Sequence, residues 1–488
     1  MGGRHMLEII HQIVWGPWLM VFFLGTGALF TVKSRFFPAA GFRIWWKATA
    51  GSVKQAPKAQ VKTACTALAA TVGTGNIVGV ATALAAGGPG ALFWMWVSAL
   101  MGMMTAYSEV YLGVKTRFLL DEGEMICGPF VYLEKLAGKK GMALLYALLC
   151  LFASLGMGSM VQANSLAETA GYSFHLSPPA AGIVLCGLAA AVICGGRKRI
   201  GEAAGALVPF SAGIYMGFSL LVLFFCRQNL LWALKEIFRE AFNVRAAAGG
   251  AAGAGISRAM RYGLARGVFS NEGGLGSMAV LHGDSPGQDP KLQGMWAMFE
   301  VFFDTIVVCT LTGLVILCCT RGGEGKELQG AALASWCFQS CLGKPGGYVV
   351  SLSMMLFAFG TIIAWHYLGS QALAYLTCRM DADYRKGALR IYRVIYLTAL
   401  WLGSMAAMEK VWMFSDIVNG LMAVPNLAAL ILLSREIQFP EEWEQRRRKR
   451  KRRFSDRAKG YLGSSGGVWE NGVFWIILVL GVLFTAAI

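Results

Sequence analysis

Two short polar stretches interrupt runs that are otherwise apolar. The first, Thr71-Val72-Gly73-Thr74-Gly75-Asn76-Ile77-Val78-Gly79, sets glycines among Thr and Asn. The second, Arg266-Gly267-Val268-Phe269-Ser270-Asn271-Glu272-Gly273-Gly274-Leu275-Gly276-Ser277, is more polar still. Neither composition favours an unbroken helix. In a bilayer, the backbone at such a break must be buried in protein or line a cavity, because an unpaired N–H or C=O is costly in lipid. The freed groups have their own chemistry. N-termini of half-helices turn N–H groups and a positive dipole end towards an anion such as a carboxylate. Unwound carbonyls and hydroxyls suit a hard cation such as sodium. The competing reading is that the glycines only let helices pack closely; two such segments at matching places in the chain weigh against it.

Other residues offer chemistry less directly. Glu109, Glu168, Glu300, Asp304 and Asp416 lie in or near apolar runs, where ionisable residues are functional candidates by default. Glu300 and Asp304 are one helical turn apart and share a face. They suit proton relay or cation ligation, against a preferred alternative of helix-to-helix hydrogen bonding. His282 and His366 have no second ligand at metal-binding spacing. The 12 cysteines form no CxxC pair and read as small apolar filler. The chain contains no HExxH motif and no evident nucleophile–base pair, which argues against an enzyme. Phe93, Trp94 and Trp96 follow the turn Gly87–Gly90 and fit an interfacial aromatic belt.

The elements that must position these groups are membrane helices. Of 488 residues, 56% are hydrophobic and 15% charged, with a mean hydropathy of +0.54; a soluble domain is usually about 25% charged. Spanning takes about 20 mostly apolar residues. Candidate spans are 13–32, 64–86, 91–114, 142–167, 179–195, 203–226, 256–282, 294–319, 348–376, 389–407 and 411–434. The run 13–32 is too long for a signal h-region and lacks a small-residue cleavage site, so it reads as a retained helix. The opening Met1-Gly2-Gly3-Arg4-His5-Met6 is compatible with an expression scar.

Positive charge sets the expected orientation. The loop after the first span carries Lys33, Arg35, Arg43, Lys47, Lys54, Lys58 and Lys62, which puts it on the cytoplasmic side and the N-terminus outside. Counting onward, 115–141, 196–202, 283–293, 377–393 and 435–473 are cytoplasmic. The net charge of +17 is concentrated there, including the run Arg446–Arg453, and favours anionic lipid rather than nucleic acid. After the first span come two sets of five. Five is odd, so the second set enters the membrane in the opposite sense, the plan of an inverted repeat. Each set opens with one of the two interrupted segments. The expected organisation is a tail 1–12, a preceding helix 13–32, five-helix repeats 64–226 and 256–434, a basic segment 435–473 and a short apolar segment 474–488.

At these residues the sequence resembles the alanine or glycine:cation symporters of the amino acid–polyamine–organocation superfamily. The resemblance is carried by Gly87-Gly88-Pro89-Gly90-Ala91-Leu92-Phe93-Trp94-Met95-Trp96-Val97-Ser98-Ala99-Leu100-Met101-Gly102, together with TVGTGNIVGVATA (71–83), GGRKRIGE (195–202), ARGVFSNEGGLGS (265–277), GMWAMFEVFFDTIVVCT (294–310) and VWMFSDIVNGLMAVPNLAAL (411–430). It extends over roughly residues 13–434. It implies an all-α, leucine-transporter-type fold of five plus five inverted helices behind one preceding helix. It also implies sodium-coupled symport of a small neutral amino acid (alanine, with glycine or D-alanine as further cargo) across the inner membrane; proton coupling is the alternative. Carried over by motif, substrate meets Thr74, Gly75 and Asn76 at the first break. Phe269, Ser270, Asn271 and Gly274 meet it at the second, with Gln162 and Trp365 on the pocket wall. Sodium falls to the carbonyls of Ala69, Val72 and Ala358 and the Thr361 hydroxyl. The sequence departs from the family pattern at Ile126-Cys127-Gly128-Pro129, at Met278 and Val280, at His366, and from Arg435 onward.

Overall fold

A computed structural model describes residues 2–120, 124–242, 252–285, 289–325 and 327–446. The segment 474–488 and all of the basic run beyond Arg446 lie outside the described residues. The fold is all-α apart from a two-stranded hairpin pairing Phe118–Leu119 with Met125–Ile126.

Helix α1 (His5–Lys33) precedes the repeats. Its apolar part begins at Pro17, and the expected tail is itself helical up to Val14. Then follow α2 (Lys58–Thr71), α3 (Val78–Gly87), α4 (Gly90–Thr116), α5 (Lys140–Phe174), α6 (Pro178–Ile193) and α7 (Gly196–Phe225). An amphipathic helix α8 (Arg227–Ala241) separates these from α9 (Ala252–Asn271), α10 (Ser277–Leu281), α11 (Pro290–Cys319), α12 (Gly330–Leu342), α13 (Lys344–Leu376), α14 (Ala382–Met405) and α15 (Met408–Leu432). Proline sits in the first turn of α6, α11 and α13, where its missing N–H costs nothing and its fixed φ suits the helix. Asp289 caps α11 by accepting from the Lys291 N–H at 2.9 Å.

Seven helices among the described residues are long and apolar enough to cross a membrane, or eight when α2 and α3 count as one bent span. The remaining expected spans correspond to helices that fall short for local reasons. Helix α6 is only 16 residues long. Helix α14 carries Arg385, Lys386, Arg390 and Arg393 along one half, and α9–α10 is split by its own break. The expected loop 196–202 is the first two turns of α7, and part of the stretch between the expected spans 203–226 and 256–282 is α8.

Helix pairing follows the repeat. With α2–α3 taken as one element and α9–α10 as its counterpart, α4 packs on α11, α5 on α13 and α6 on α14, each the equivalent of its partner in the other half. The pair α7–α13 in turn has an equivalent in α15–α5. The protein is a polytopic helical bundle, and its helix pairing is the one expected of two five-helix repeats behind α1. Large apolar side chains point out of it, among them Ile183 and Leu188 on α6, Phe210, Leu220 and Phe224 on α7, and Ile391 and Val394 on α14. A soluble monomer rarely exposes so extensive an apolar surface.

Two π-helical stretches interrupt otherwise straight spans, Ser154–Val161 in α5 and Phe302–Cys309 in α11. Each brings a polar residue to the centre of the molecule.

Candidate functional site

The first break starts where α2 runs out of hydrogen bonds. The Val72 N–H still reaches the Leu68 carbonyl at 2.7 Å. The next N–H, on Gly73, is taken instead by Asn76 Oδ1 at 2.9 Å, and the Thr74 N–H points at Gln162 Oε1 at 3.4 Å. The Ala69 and Ala70 carbonyls therefore lose their helical partners. Ala69 O accepts the Thr361 hydroxyl at 3.0 Å, the same hydroxyl lying 3.2 Å from Phe357 O. A tight turn at Thr74–Asn76 then leads into α3, with α2 and α3 bent by 58°.

Close approach explains the glycines here. A Cβ on Gly73 would lie 2.5 Å from Thr361 Oγ1, and one on Gly75 would lie 3.3 Å from the Phe269 ring and 3.4 Å from Ser270 Cα. The two breaks thus touch. Gln162, just past the π stretch of α5, accepts the Thr74 hydroxyl at 3.0 Å and donates to Met157 O at 3.2 Å. Its bonds hold the break against α5.

The second break is built differently. Its turn carries Glu272 at φ +55°, Gly274 at φ +102° and Gly276 at φ +83°. A left-handed glutamate is uncommon backbone. It turns the Glu272 carboxylate onto the Ser277 hydroxyl, at the start of α10, and onto Trp365 Nε1 at 2.9 Å. Asn426 Nδ2 ties down Gly274 O at 2.9 Å and Glu109 Oε1 at 2.7 Å, while Tyr132 donates to Asn426 Oδ1 and Tyr146 to Leu275 O at 2.8 Å.

Asp304, inside the π stretch of α11, joins the two breaks. Its Oδ1 accepts from Asn76 Nδ2 at 2.6 Å; its Oδ2 accepts from the Ser270 hydroxyl at 2.7 Å and from Thr305 at 2.9 Å. Asn271 reaches the same place through Thr305 Oγ1 at 3.2 Å. Asp304 is fully buried, and among the described residues no Lys or Arg pairs with it. A buried carboxylate held only by neutral donors is costly to keep charged unless a cation joins it.

The structure brings most of the expected residues together. Thr74, Gly75, Asn76, Gln162, Phe269 and Ser270 form one buried cluster, with Asn271 one bond further out. Ala69 and Thr361 meet directly, while Val72 ends α2 and Ala358 lies one turn before Thr361, both buried. Trp365 packs against Gly158 and bonds Glu272. Gly274 faces elsewhere, towards Phe23 of α1 and Leu427. Glu272 was not singled out in the sequence, although a glutamate between two glycine steps inside an apolar run is a readable signal.

Outside the cluster, one end is shut. Arg266 and Asp416 form a two-pronged ion pair, with Nη2–Oδ2 at 2.7 Å and Nη1–Oδ1 at 3.3 Å. The guanidinium lies 4.9 Å over Trp412, which stacks on Phe269 at 5.0 Å, and Trp15 of α1 donates to Asp416 O at 2.8 Å. At the opposite end a cavity of about 300 Å³ opens between α2, α7, α10 and α13, lined by Lys62, Thr63, Thr66, Arg197, Lys198 and Tyr367 among others. Thr66 stands one turn below the Ala69 carbonyl. His282 bonds Glu300 at 3.1 Å and Gln293 at 3.1 Å, all fully or nearly fully buried. His366 is clasped between Tyr392 and Tyr396, and Glu168 is exposed.

This layout of paired helix breaks, a joining carboxylate and one closed end is that of a membrane transporter, and the comparisons with known proteins agree. The model of the sodium:alanine symporter family matches residues 3–457. The chain is 38% identical over 440 residues to the sodium/alanine symporter AgcS of Methanococcus maripaludis, covering 88% of this chain and 94% of that one. An uncharacterized transporter of Haemophilus influenzae is likewise 38% identical, over 439 residues with the same coverage. A probable sodium/glutamine symporter, GlnT of Bacillus subtilis, is 31% identical over 437 residues, with 89% of each chain covered. With a family match over nearly the whole chain and these relatives aligned over most of their length, the chain belongs to the sodium:alanine symporter family.

Proposed function

We propose that this chain carries a small neutral amino acid, alanine first, together with sodium across the cytoplasmic membrane by alternating access, with its N-terminus on the outer side. The observation that carries the reading is Asp304, a buried carboxylate without a protein cation, bonded to Asn76 of one break and Ser270 of the other. A cation arriving with the cargo, either sodium or the cargo's own ammonium, supplies the missing charge. The cargo carboxylate then meets the N–H groups of the unwound Thr74–Asn76 segment, where α3 begins. Sodium is the cation that suits the Ala69 carbonyl and the Thr361 hydroxyl. Contact of Gly75 with Phe269 and Ser270 leaves little side-chain room, which favours alanine or glycine over a residue the size of glutamine. The basic run Arg446–Arg453, on the cytoplasmic side, would draw anionic lipid.

In the cycle we propose, the Arg266–Asp416 pair and the Phe269–Trp412 stack close the outer path while the cavity at Thr63 and Thr66 leads inward. Opening the outer path parts the ion pair.

Uptake of labelled alanine into proteoliposomes, with and without an inward sodium gradient, tests this. Sodium-dependent accumulation is expected, inhibited by unlabelled alanine, glycine or D-alanine more than by glutamine. Equal uptake in the two conditions would defeat the sodium assignment.

A second reading, proton coupling, has its own observation in the buried His282–Glu300 pair beside the cavity end of α10. Replacing sodium by choline under an imposed pH gradient separates the two. Uptake that persists in choline and follows the pH gradient favours the proton.

A further inference from the structure

Three cysteines far apart in the sequence meet at the membrane end opposite the basic cavity. Cys226 caps the C-terminus of α7, Cys319 is the last residue of α11, and Cys341 lies in α12. Cys341 Sγ is 3.2 Å from Cys226 Sγ and 3.6 Å from Cys319 Sγ, and the three sulfurs lie within 4.8 Å of one another. All three residues are half-buried, open enough for an ion to enter. The sequence reading of the cysteines as filler missed this because the separations follow no motif; only the folding of α7, α11 and α12 against each other creates it.

The geometry points to a thiolate site for a soft or borderline cation of the zinc class, one that nothing in transport of an amino acid requires. Three sulfurs on a tetrahedral zinc at about 2.3 Å lie about 3.8 Å apart, close to the separations present. A disulfide is the poorer match. Cys341 is placed between two partners, and bonding either one at about 2.0 Å leaves the third sulfur unused, whereas a metal engages all three. On binding, each thiol releases its proton to solvent as its sulfur takes up the cation. Three thiolates and one divalent ion leave a net charge of −1. Arg321 stands at the rim, two residues past Cys319, bonded to Asn229 Oδ1 at 2.8 Å, while Asn229 holds the Cys318 carbonyl at 2.9 Å. The fourth ligand position is left to water. The metal would add a coordinated link between the ends of three helices.

The test uses the full chain purified in detergent under reductant, then titrated with cadmium as a spectroscopic stand-in for zinc, followed by zinc competition. One equivalent of cadmium should produce a thiolate-to-metal charge-transfer band that zinc abolishes. The triple variant C226S/C319S/C341S should lose the band. As a readout independent of any variant, bound zinc should protect Cys226, Cys319 and Cys341 from maleimide alkylation, measured peptide by peptide, and leave Cys194 reactive. Substoichiometric binding, a band retained by the triple variant, or unprotected Cys341 in the wild-type chain overturns the site. So does a Cys226–Cys341 or Cys319–Cys341 disulfide in protein purified without reductant, which would make the cluster a redox pair. Alanine uptake plays no part in any of these outcomes, so the site stands or falls apart from the transport reading.

Discussion

The two helix breaks occupy equivalent places in the two halves, yet they are held open by different means. The first, at 72–77, contains no ionisable side chain. Its freed groups are amides, hydroxyls and carbonyls, and they are met by Gln162, Thr361 and Asp304 from three other helices. The second, at 272–276, secures itself. Glu272 sits in left-handed backbone, accepts the Ser277 hydroxyl at the start of α10, and is held by Trp365, while Asn426 fixes the Gly274 carbonyl. The difference fits a division of labour in the proposed cycle: the first break would present groups to a ligand, while the turn of the second is tied down by its own side chains. Only the last residues of α9, Phe269 to Asn271, face the first break.

Substitutions can break or sharpen this contrast. The largest effect is expected from Gly75→Leu, which drives a branched side chain into Phe269 and Ser270. Alanine uptake should fall below detection while size-exclusion and thermal unfolding profiles stay near wild type, and normal uptake would remove Gly75 from the site. Asp304→Asn keeps the shape of the link between the breaks but removes its charge. Hydrogen bonds to a charged group contribute about 1.5–3 kcal/mol, so uptake should drop about 10- to 100-fold; a variant with unaltered rate and sodium dependence would reduce Asp304 to a structural tie. Thr361→Val preserves volume and deletes one oxygen. A loss of about 1 kcal/mol should raise the half-saturating sodium concentration by several-fold with little change in maximal rate, and an unchanged sodium curve speaks against that ligand. The smallest effect on uptake, at most a few-fold, is expected from Glu272→Gln. Its cost of about 1–3 kcal/mol should fall on stability instead, visible as a lower unfolding temperature. Uptake lost at unchanged stability would mean that the second turn binds cargo as well, and the contrast would fail.

How much of this was legible in the sequence varies with the kind of signal. Both breaks could be read, because glycine and polar residues inside an apolar run conflict with helix formation wherever they occur. The expectation of an inverted arrangement rests on counting spans against charge, and the helix pairing agrees with the repeat. The π stretches could not be read, since, Asp304 aside, nothing in Ser154–Val161 or Phe302–Cys309 departs from ordinary membrane-helix composition. Without them Asp304 looked like one acid on a helix face, more suited to tying helices together than to joining the breaks. Its partners Asn76 and Ser270 lie 228 and 34 residues away, and only the fold brings them together. Glu272 is readable as an acid inside an apolar run, but its role depends on a backbone angle that composition does not carry. The cysteine triad failed for a similar reason: its spacing has meaning only once α7, α11 and α12 end at the same level.

The cavity mouth carries fixed positive charge from Lys62, Arg197 and Lys198, offset in part by Glu202, 3.7 Å from Lys62. Such a rim cannot alter the free energy of moving a sodium ion between the two bulk phases, but it does set the local concentration at the threshold. Sodium is thinned out there relative to the adjoining solution, whereas a zwitterion with no net charge passes nearly unaffected. Within a Debye length of about 8 Å at physiological salt, the mouth works as an electrostatic filter against small cations. In the cycle proposed above, it would slow a cation's passage through the mouth in either direction, and raising the ionic strength on that side alone should weaken the effect.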